Sequence, residues 1–267
     1  MSAVRVAVAQ FNPELEPTAN LSRIAVLVAE AVLGGATLVV LPEYSSSFNP
    51  RLDEEVLKRA QPHDGEFVQA MGELARKHSV KIVFGLVATT TDPRKFANMA
   101  VAVGEHGDVI ASYSKAHLFD AFGHKESDRV LAGDLAHPAV FEHEGFTVGL
   151  QTCYDIRFPE VSRWLIDAGA TMLIVPAEWV NGEHKLNHWR TLLTARAIEN
   201  TVYVVAADHP EPIGVGSSMV ITPLGEVCAQ LDGAAGVVLA DVDPAAVQSA
   251  REVNPSIMLR RFSVTVK

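Results

Sequence analysis

Cysteine is scarce. The 267 residues contain two, Cys153 and Cys228, too few for a disulfide framework. Cys153 has polar company and Cys228 sits in an ordinary strand pattern, which reads as core, so a bond between them is not expected. Positive charge is also short: 22 Lys and Arg stand against 32 Asp and Glu, a formal net charge of −10. That balance argues against nucleic acid or an anionic membrane surface as partner. No apolar run approaches the ~20 residues that cross a bilayer. The first ten residues read as a strand, without the charged, apolar and cleavage regions of a leader, so a cytoplasmic protein is expected. No phosphate-binding glycine loop occurs, because Gly34-Gly35 ends a helix where such a loop would open one. His117, His124 and His188 lack the spacing and the Cys or carboxylate companions of a metal set.

What remains is a globular composition, 48% hydrophobic and 20% charged. No repeat, linker or low-complexity tract interrupts residues 1–267, which are expected to form a single domain. Short β-branched runs at Val4–Phe11, Thr37–Leu41, Val80–Thr89, Phe146–Leu150, Met172–Val175, Val202–Ala206 and Val237–Val242 read as buried strands. Phe96–Val103 pairs naturally with Val109–Tyr113, and Ser217–Thr222 with Glu226–Leu231. Apolar residues at helical spacing mark a helix capped by Thr18 or Asn20 and running to Leu33, with others over Gly65–His78, Pro159–Gly169 and Lys185–Asn200. Hairpins mixed with βαβ units, and strands outnumbering helices, predict an αββα sandwich of two mixed sheets with outer helices. The long polar stretch Ser114–Asp134 has no period and reads as a functional loop.

The chain's chemistry centres on Thr147-Val-Gly-Leu-Gln-Thr-Cys153-Tyr-Asp-Ile-Arg-Phe-Pro-Glu160. A strand ends at Thr152 and Pro159 suits the first turn of a helix, so Cys153 falls in the turn between them. Exposed backbone N–H groups and a helix N-terminus there are expected to favour thiolate over thiol. A free cysteine is more often a small buried hydrophobe. The polar neighbours Asp155, Arg157 and Glu160 set this one apart. Glu43 and Lys115 also follow strand ends, Thr37–Leu41 and Val109–Tyr113, and ligand crevices in α/β sheets lie beyond such ends. Together the three residues supply acyl transfer through a thioester. A carboxylate takes the thiol proton and later activates water, and an ammonium with a backbone N–H such as that of Tyr154 holds the oxyanion. His117 is the other candidate base, or a hydrogen-bonded structural histidine.

Leu41-Pro42-Glu43, Tyr113-Ser-Lys115-Ala-His-Leu-Phe-Asp120 and Gly149-Leu-Gln-Thr-Cys153-Tyr-Asp-Ile-Arg-Phe-Pro-Glu160 resemble the three signature blocks of the nitrilase superfamily of carbon–nitrogen hydrolases. The resemblance continues through Pro176-Ala-Glu-Trp179, His188-Trp-Arg and Ala195-Arg-Ala-Ile-Glu-Asn200, covering nearly the whole chain in order. It implies the αββα fold, Glu43 as general base, Lys115 as stabiliser of the tetrahedral intermediate, Cys153 as nucleophile and Glu126 as a second glutamate in the loop. It also implies no metal or organic cofactor, and a homodimer paired through outer helices. The Cys-Tyr-Asp-x-Arg-Phe-Pro-Glu block is similar to the Nit branch, whose members include ω-amidases of α-keto acids and deaminated glutathione amidases. The implied substrates are a small carboxylate-bearing amide and water. Hydrolysis of N-carbamoyl amino acids or carbamoyl amines is the alternative chemistry, and a catalytically silent binding protein on the same fold is the alternative class.

Arg157 is the candidate clamp for a substrate carboxylate, or an ion-pair partner of Asp155 or Glu160. Tyr44, Phe119, Trp179 and His188 are candidate pocket walls, with His124 and Lys125 facing the substrate from the loop.

Overall fold

A computed structural model describes residues 4–266. One sheet has the order β12-β1-β2-β3-β4-β5, built from Val4–Gln10 (β1), Leu38–Val40 (β2), Lys81–Thr89 (β3), Phe96–Val103 (β4), Val109–Ser114 (β5) and Gly236–Val242 (β12). The other has the order β11-β10-β9-β8-β7-β6, from Val140–His143 (β6), Phe146–Leu150 (β7), Met172–Pro176 (β8), Tyr203–Ala207 (β9), Met219–Ile221 (β10) and Val227–Gln230 (β11).

Period-two alternation explains how the sheets stack. Val6, Val8, Leu38, Val40 and Val83 point inward, against Val148, Leu150, Ile174 and Val205 of the facing sheet. Their neighbours in sequence, Ala7, Val39, Ile82 and Phe84, point outward under Pro17–Leu33 (α1) and Glu66–His78 (α3). On the far side Leu173, Val175 and Val204 carry Pro159–Asp167 (α4) and Lys185–Asn200 (α5). Strands buried on both faces therefore read as continuous apolar runs. The result is the expected αββα sandwich, completed by the short helices Glu54–Leu57 (α2) and Pro244–Val253 (α6).

Several local features depart from the sequence reading. Helix α1 starts at Pro17 with no side-chain cap. Asn20 is turned inward instead, where its amide closes on the Glu14 backbone and donates to the Ser46 carbonyl at 3.1 Å. Helix α2 was not anticipated, although Asp53 caps it by accepting the Glu55 N–H at 3.0 Å. Cys228 is exposed, not core, because β11 is an edge strand. Among the described residues no helix is long and apolar enough to cross a membrane.

Strand direction places the site. β2 is parallel to β3, and two antiparallel steps through β4 bring β5 back to the same direction. β7, β8 and β9 are parallel to one another. The carboxyl ends of β2 and β5 thus share one rim of their sheet, as those of β7 and β8 share one rim of the other.

Candidate active site

Glu43 leaves β2 on a backbone that lies directly against β3. A Cβ on Gly85 would stand 2.2 Å from the Tyr44 nitrogen and 2.6 Å from the Glu43 carbonyl carbon, so only glycine fits beneath this turn. Gly85 also donates to the Pro42 carbonyl and accepts from the Ser46 N–H, each at 3.1 Å. From the other side His209 Nε2 lies 2.7 Å from the Glu43 carbonyl and donates to it. The Glu43 side chain is buried. Its Oε1 accepts from Lys115 Nζ at 2.9 Å and Asn98 Nδ2 at 2.6 Å, and its Oε2 accepts the Glu178 N–H at 2.6 Å.

Lys115, one residue past β5, is 2% exposed and sits between two acids. Glu126 accepts from it through both oxygens, at 3.0 and 2.9 Å. Glu126 is held in turn by the Tyr44 hydroxyl at 2.5 Å, Asn98 Nδ2 at 3.1 Å and the Phe119 N–H at 2.6 Å. The three charges differ in consequence. Burial pushes Glu43 up, and the nearby Glu126 adds to this against the pull of Lys115. Glu126 is buried as well, but Lys115, Tyr44 and the Phe119 N–H together hold it below the ordinary carboxylate range. Burial would lower Lys115, yet Glu126 and Glu43 carry it well above its usual value. Glu126 is therefore the standing counter-ion of the ammonium and Glu43 the more basic carboxylate. A pair of acids driven apart in this way is what acid–base chemistry needs.

Cys153 follows β7 with a left-handed backbone, φ 45°, a conformation that costs about 1–2 kcal/mol outside glycine. It opens a one-turn 3-10 helix, Cys153–Arg157, and α4 begins only at Pro159. Buried Asp155 fixes this turn to the loop that carries Lys115. It accepts from the Thr152 N–H at 3.1 Å, the Tyr113 hydroxyl at 2.9 Å, and both the N–H and ring Nδ1 of His117, at 3.1 and 2.8 Å. His117 is stacked on Phe158 at 3.7 Å and serves this brace. The thiol points toward the Glu178 carbonyl at 3.5 Å. Burial first, and then the charge of Glu43, push it well above the usual thiol range, and Lys115 only partly opposes them. The expected thiolate is thus corrected to a resting thiol, since desolvation beside carboxylates outweighs a single helical turn.

A cleft of about 290 Å³ opens over these residues, lined among others by Glu43, Tyr44, Lys115, Phe119, Glu126 and Cys153. His124 and Lys125 reach it from the loop. An acid, a lysine and a thiol at one cleft can pass a proton from sulfur to carboxylate and hold a developing oxyanion.

A family model described as carbon-nitrogen hydrolase matches residues 5–252. The chain belongs to that family. A deaminated glutathione amidase from Escherichia coli O157:H7 is 36% identical over 258 residues, 97% of each chain. The Caenorhabditis elegans NitFhit protein superposes with a TM-score of 0.89 at 31% identity, over 100% of this chain and 68% of that one. An amidase from Nesterenkonia sp. AN1, solved with the acetamide moiety of fluoroacetamide added covalently at its active-site cysteine, gives 0.82 at 26% identity over 97% and 94%. This carbon–nitrogen hydrolase is a cysteine-dependent amidase.

The remaining sequence candidates lie apart from the cleft lining. Trp179 is carried inward by the short β8–α5 connection, its N–H donating to Asp208 at 2.7 Å and its ring Nε1–H to the Lys185 carbonyl at 2.9 Å. Its face stacks under the Arg157 guanidinium at 4.9 Å, which also reaches His188 Nδ1 at 3.3 Å. Tyr154 packs edge-on against Phe119 at 5.2 Å. These residues form a second cluster that meets the cleft at Phe119. Among the described residues Arg157 has no ion pair: Asp155 is committed to His117, Tyr113 and Thr152, and Glu160 points outward on α4. The sequence alone does not single out Asn98, Glu178 or His209. A lone asparagine in the apolar run Phe96–Val103 and a glutamate just past β8 were the available signals.

Proposed function

We propose that the protein hydrolyses a small amide, one that also carries a carboxylate, through a thioester on Cys153. Cys153 Sγ–H gives its proton to Glu43 as sulfur attacks the amide carbon. The oxyanion is held by Lys115 Nζ and by the N–H of Tyr154, which lies in the first turn of its helical segment, where N–H groups lack partners within the turn. Glu43 returns the proton to the leaving nitrogen, and ammonia, or an amine from a substituted amide, departs. Glu43 then takes a proton from water as the hydroxide adds to the thioester, returns that proton to the sulfur as the tetrahedral adduct collapses, and the acid product ionises, its proton passing to water or the released ammonia. Glu126 keeps Lys115 charged and aimed throughout.

The observation that carries this reading is Lys115 buried between two acids of opposite tendency, with Glu43 held at the Glu178 backbone that also contacts the Cys153 sulfur. Deaminated glutathione is the substrate favoured by the name of the Escherichia coli relative, and an ω-amide of an α-keto acid, which also carries a carboxylate, equally suits the unpaired Arg157. Ammonia and amine release should be measured across α-keto acid amides, deaminated glutathione, carbamoyl amines and simple nitriles, with Cys153→Ala as control. A hit lost in the variant supports both nucleophile and substrate branch, and turnover retained by Cys153→Ala refutes the thioester.

We also infer that residues 1–267 act as one catalytic domain, supported by the family match across most of them. A cytoplasmic homodimer is inferred too. Two free thiols suit a reducing compartment, and the exposed side chains of Leu33, Met258 and Phe262 supply apolar surface for self-association. Light scattering and cell fractionation test these points.

A further inference from the structure

Lys185 opens α5, and its side chain is only 7% exposed. A buried lysine is ordinarily paired with an acid. Among the described residues Lys185 Nζ has no hydrogen-bond partner and no carboxylate within ion-pair distance; its neighbours are the faces of Phe122 at 3.9 Å, Phe119 at 4.6 Å and Trp179 at 5.8 Å. Arg157 shares the Trp179 face, and its Nε is buried without a partner. Burial lowers Lys185 first and the nearby Arg157 lowers it further. The acidic groups that act on it are Cys153 and Glu178, and burial holds both well above their ordinary values.

Two cations and the positive end of α5 are thus gathered beside the nucleophile, and among the described residues neither cation has a carboxylate in ion-pair contact. The position is close to the chemistry. Arg157 is in the same helical turn as Cys153, Trp179 follows the residue whose carbonyl contacts the sulfur, and Phe119 is shared with the cleft wall. Phe122 is the nearest of the three faces to the ammonium. That ring is 64% exposed and lies in a turn where Phe122 and Gly123 both have positive φ.

We propose that Lys185, together with Arg157, forms a subsite for the carboxylate of the substrate's acyl half, and that Lys185 selects charged over neutral amides. The inference rests on the amidase reading above and adds the residue that sets its substrate charge. A carboxylate there gains a point-charge donor from lysine and a planar fork from arginine, with aromatic faces excluding water.

Succinamate and butyramide, equal in length and differing in the carboxylate, are the paired probes. In Lys185→Met the ratio of their kcat/KM values should fall at least about tenfold, chiefly through KM for succinamate, and Lys185→Arg should restore part of it. A ratio unmoved in Lys185→Met overturns the proposal, as does an equal loss on both amides. Calorimetry of succinate on Cys153→Ala, with and without Lys185→Met, separates the subsite from the reaction. Binding that depends on Lys185 without amide turnover sinks the substrate reading and keeps the subsite. Absence of succinate binding to Cys153→Ala overturns the subsite even where butyramide is hydrolysed by the parent enzyme.

Discussion

His209 ties Glu43 to the fold, and its protonation should loosen both. The ring is fully buried, with Nε2–H donating to the Glu43 carbonyl, Phe48 packed edge-on at 4.8 Å, and Nδ1 without a partner among the described residues. A second proton would place an unpaired N–H and a charge in that pocket, and burial accordingly lowers the imidazole from 6.5 to about 4. A group depressed in the folded state contributes stability that is complete above its unfolded value and is lost as pH falls toward its folded value. Here the window is pH 6.5 down to about 4, where the unfolded chain binds the proton and the folded chain does not. The gap corresponds to about 2 kcal/mol lost by pH 5 and about 3 kcal/mol by pH 4. His143, lowered by burial to about 4, adds a loss of the same sign. Glu178 and Asp208, raised by burial, act oppositely, so the raw stability profile mixes signs. His209→Gln isolates the term, because its amide can still donate to the Glu43 carbonyl but cannot titrate. Urea unfolding followed by tryptophan fluorescence at pH 7.5 and 5 should show the stability advantage of the parent protein over the variant shrinking by about 2 kcal/mol. Parallel profiles would refute the assignment of a buried neutral His209.

Glu126→Gln keeps size and most hydrogen bonds but leaves Glu43 as the main counter-ion of Lys115. Turnover should drop about 10²-fold with KM changed much less, and a kcat within about threefold of the parent would remove Glu126 from the site's electrostatics. Gly85→Ala should destabilise the protein by about 1–3 kcal/mol, because the new methyl meets the Glu43–Tyr44 backbone at 2.2 Å. An unchanged unfolding midpoint would show that this turn is softer than it looks. The rate of Cys153 alkylation by iodoacetamide should still be climbing at about pH 9, as expected of a buried thiol; a plateau reached below neutral pH would restore the thiolate.

The layers and the rim were legible because they rest on local rules. Continuous β-branched runs in β1 to β3 and in β7 to β9 announced strands buried on both faces, and strand ends announced the positions of Glu43, Lys115 and Cys153. The groups that tune them were less legible. Asn98 joins Glu43 to Glu126 from the middle of β4, and Gly85 admits the Glu43 turn from the middle of β3, both through contacts far apart in sequence. Lys185 is visible in the sequence only as the start of a helix, since periodicity says nothing about whether an acid will be near. The state of Cys153 escapes the sequence for the same reason: a helix terminus is visible there, whereas desolvation is a property of everything packed around the thiol.

That resting thiol alters how the site's charge is arranged. With Cys153 neutral, one ammonium faces two carboxylates, and Glu126 claims it through both oxygens. Glu43 shares the same nitrogen through a single oxygen, and its other oxygen is turned toward the Glu178 backbone beside the sulfur. On the proposed route, passing the thiol proton to Glu43 leaves the net charge of the site unchanged, so the transfer needs no compensating ion. It also removes the carboxylate that competes for Lys115 at the moment an oxyanion begins to form. The ammonium, released from one partner while still aimed by the other, is then free to follow the negative charge onto the substrate. A site with a standing thiolate would lack that exchange, because Lys115 would already be spread over three anions before any substrate arrived.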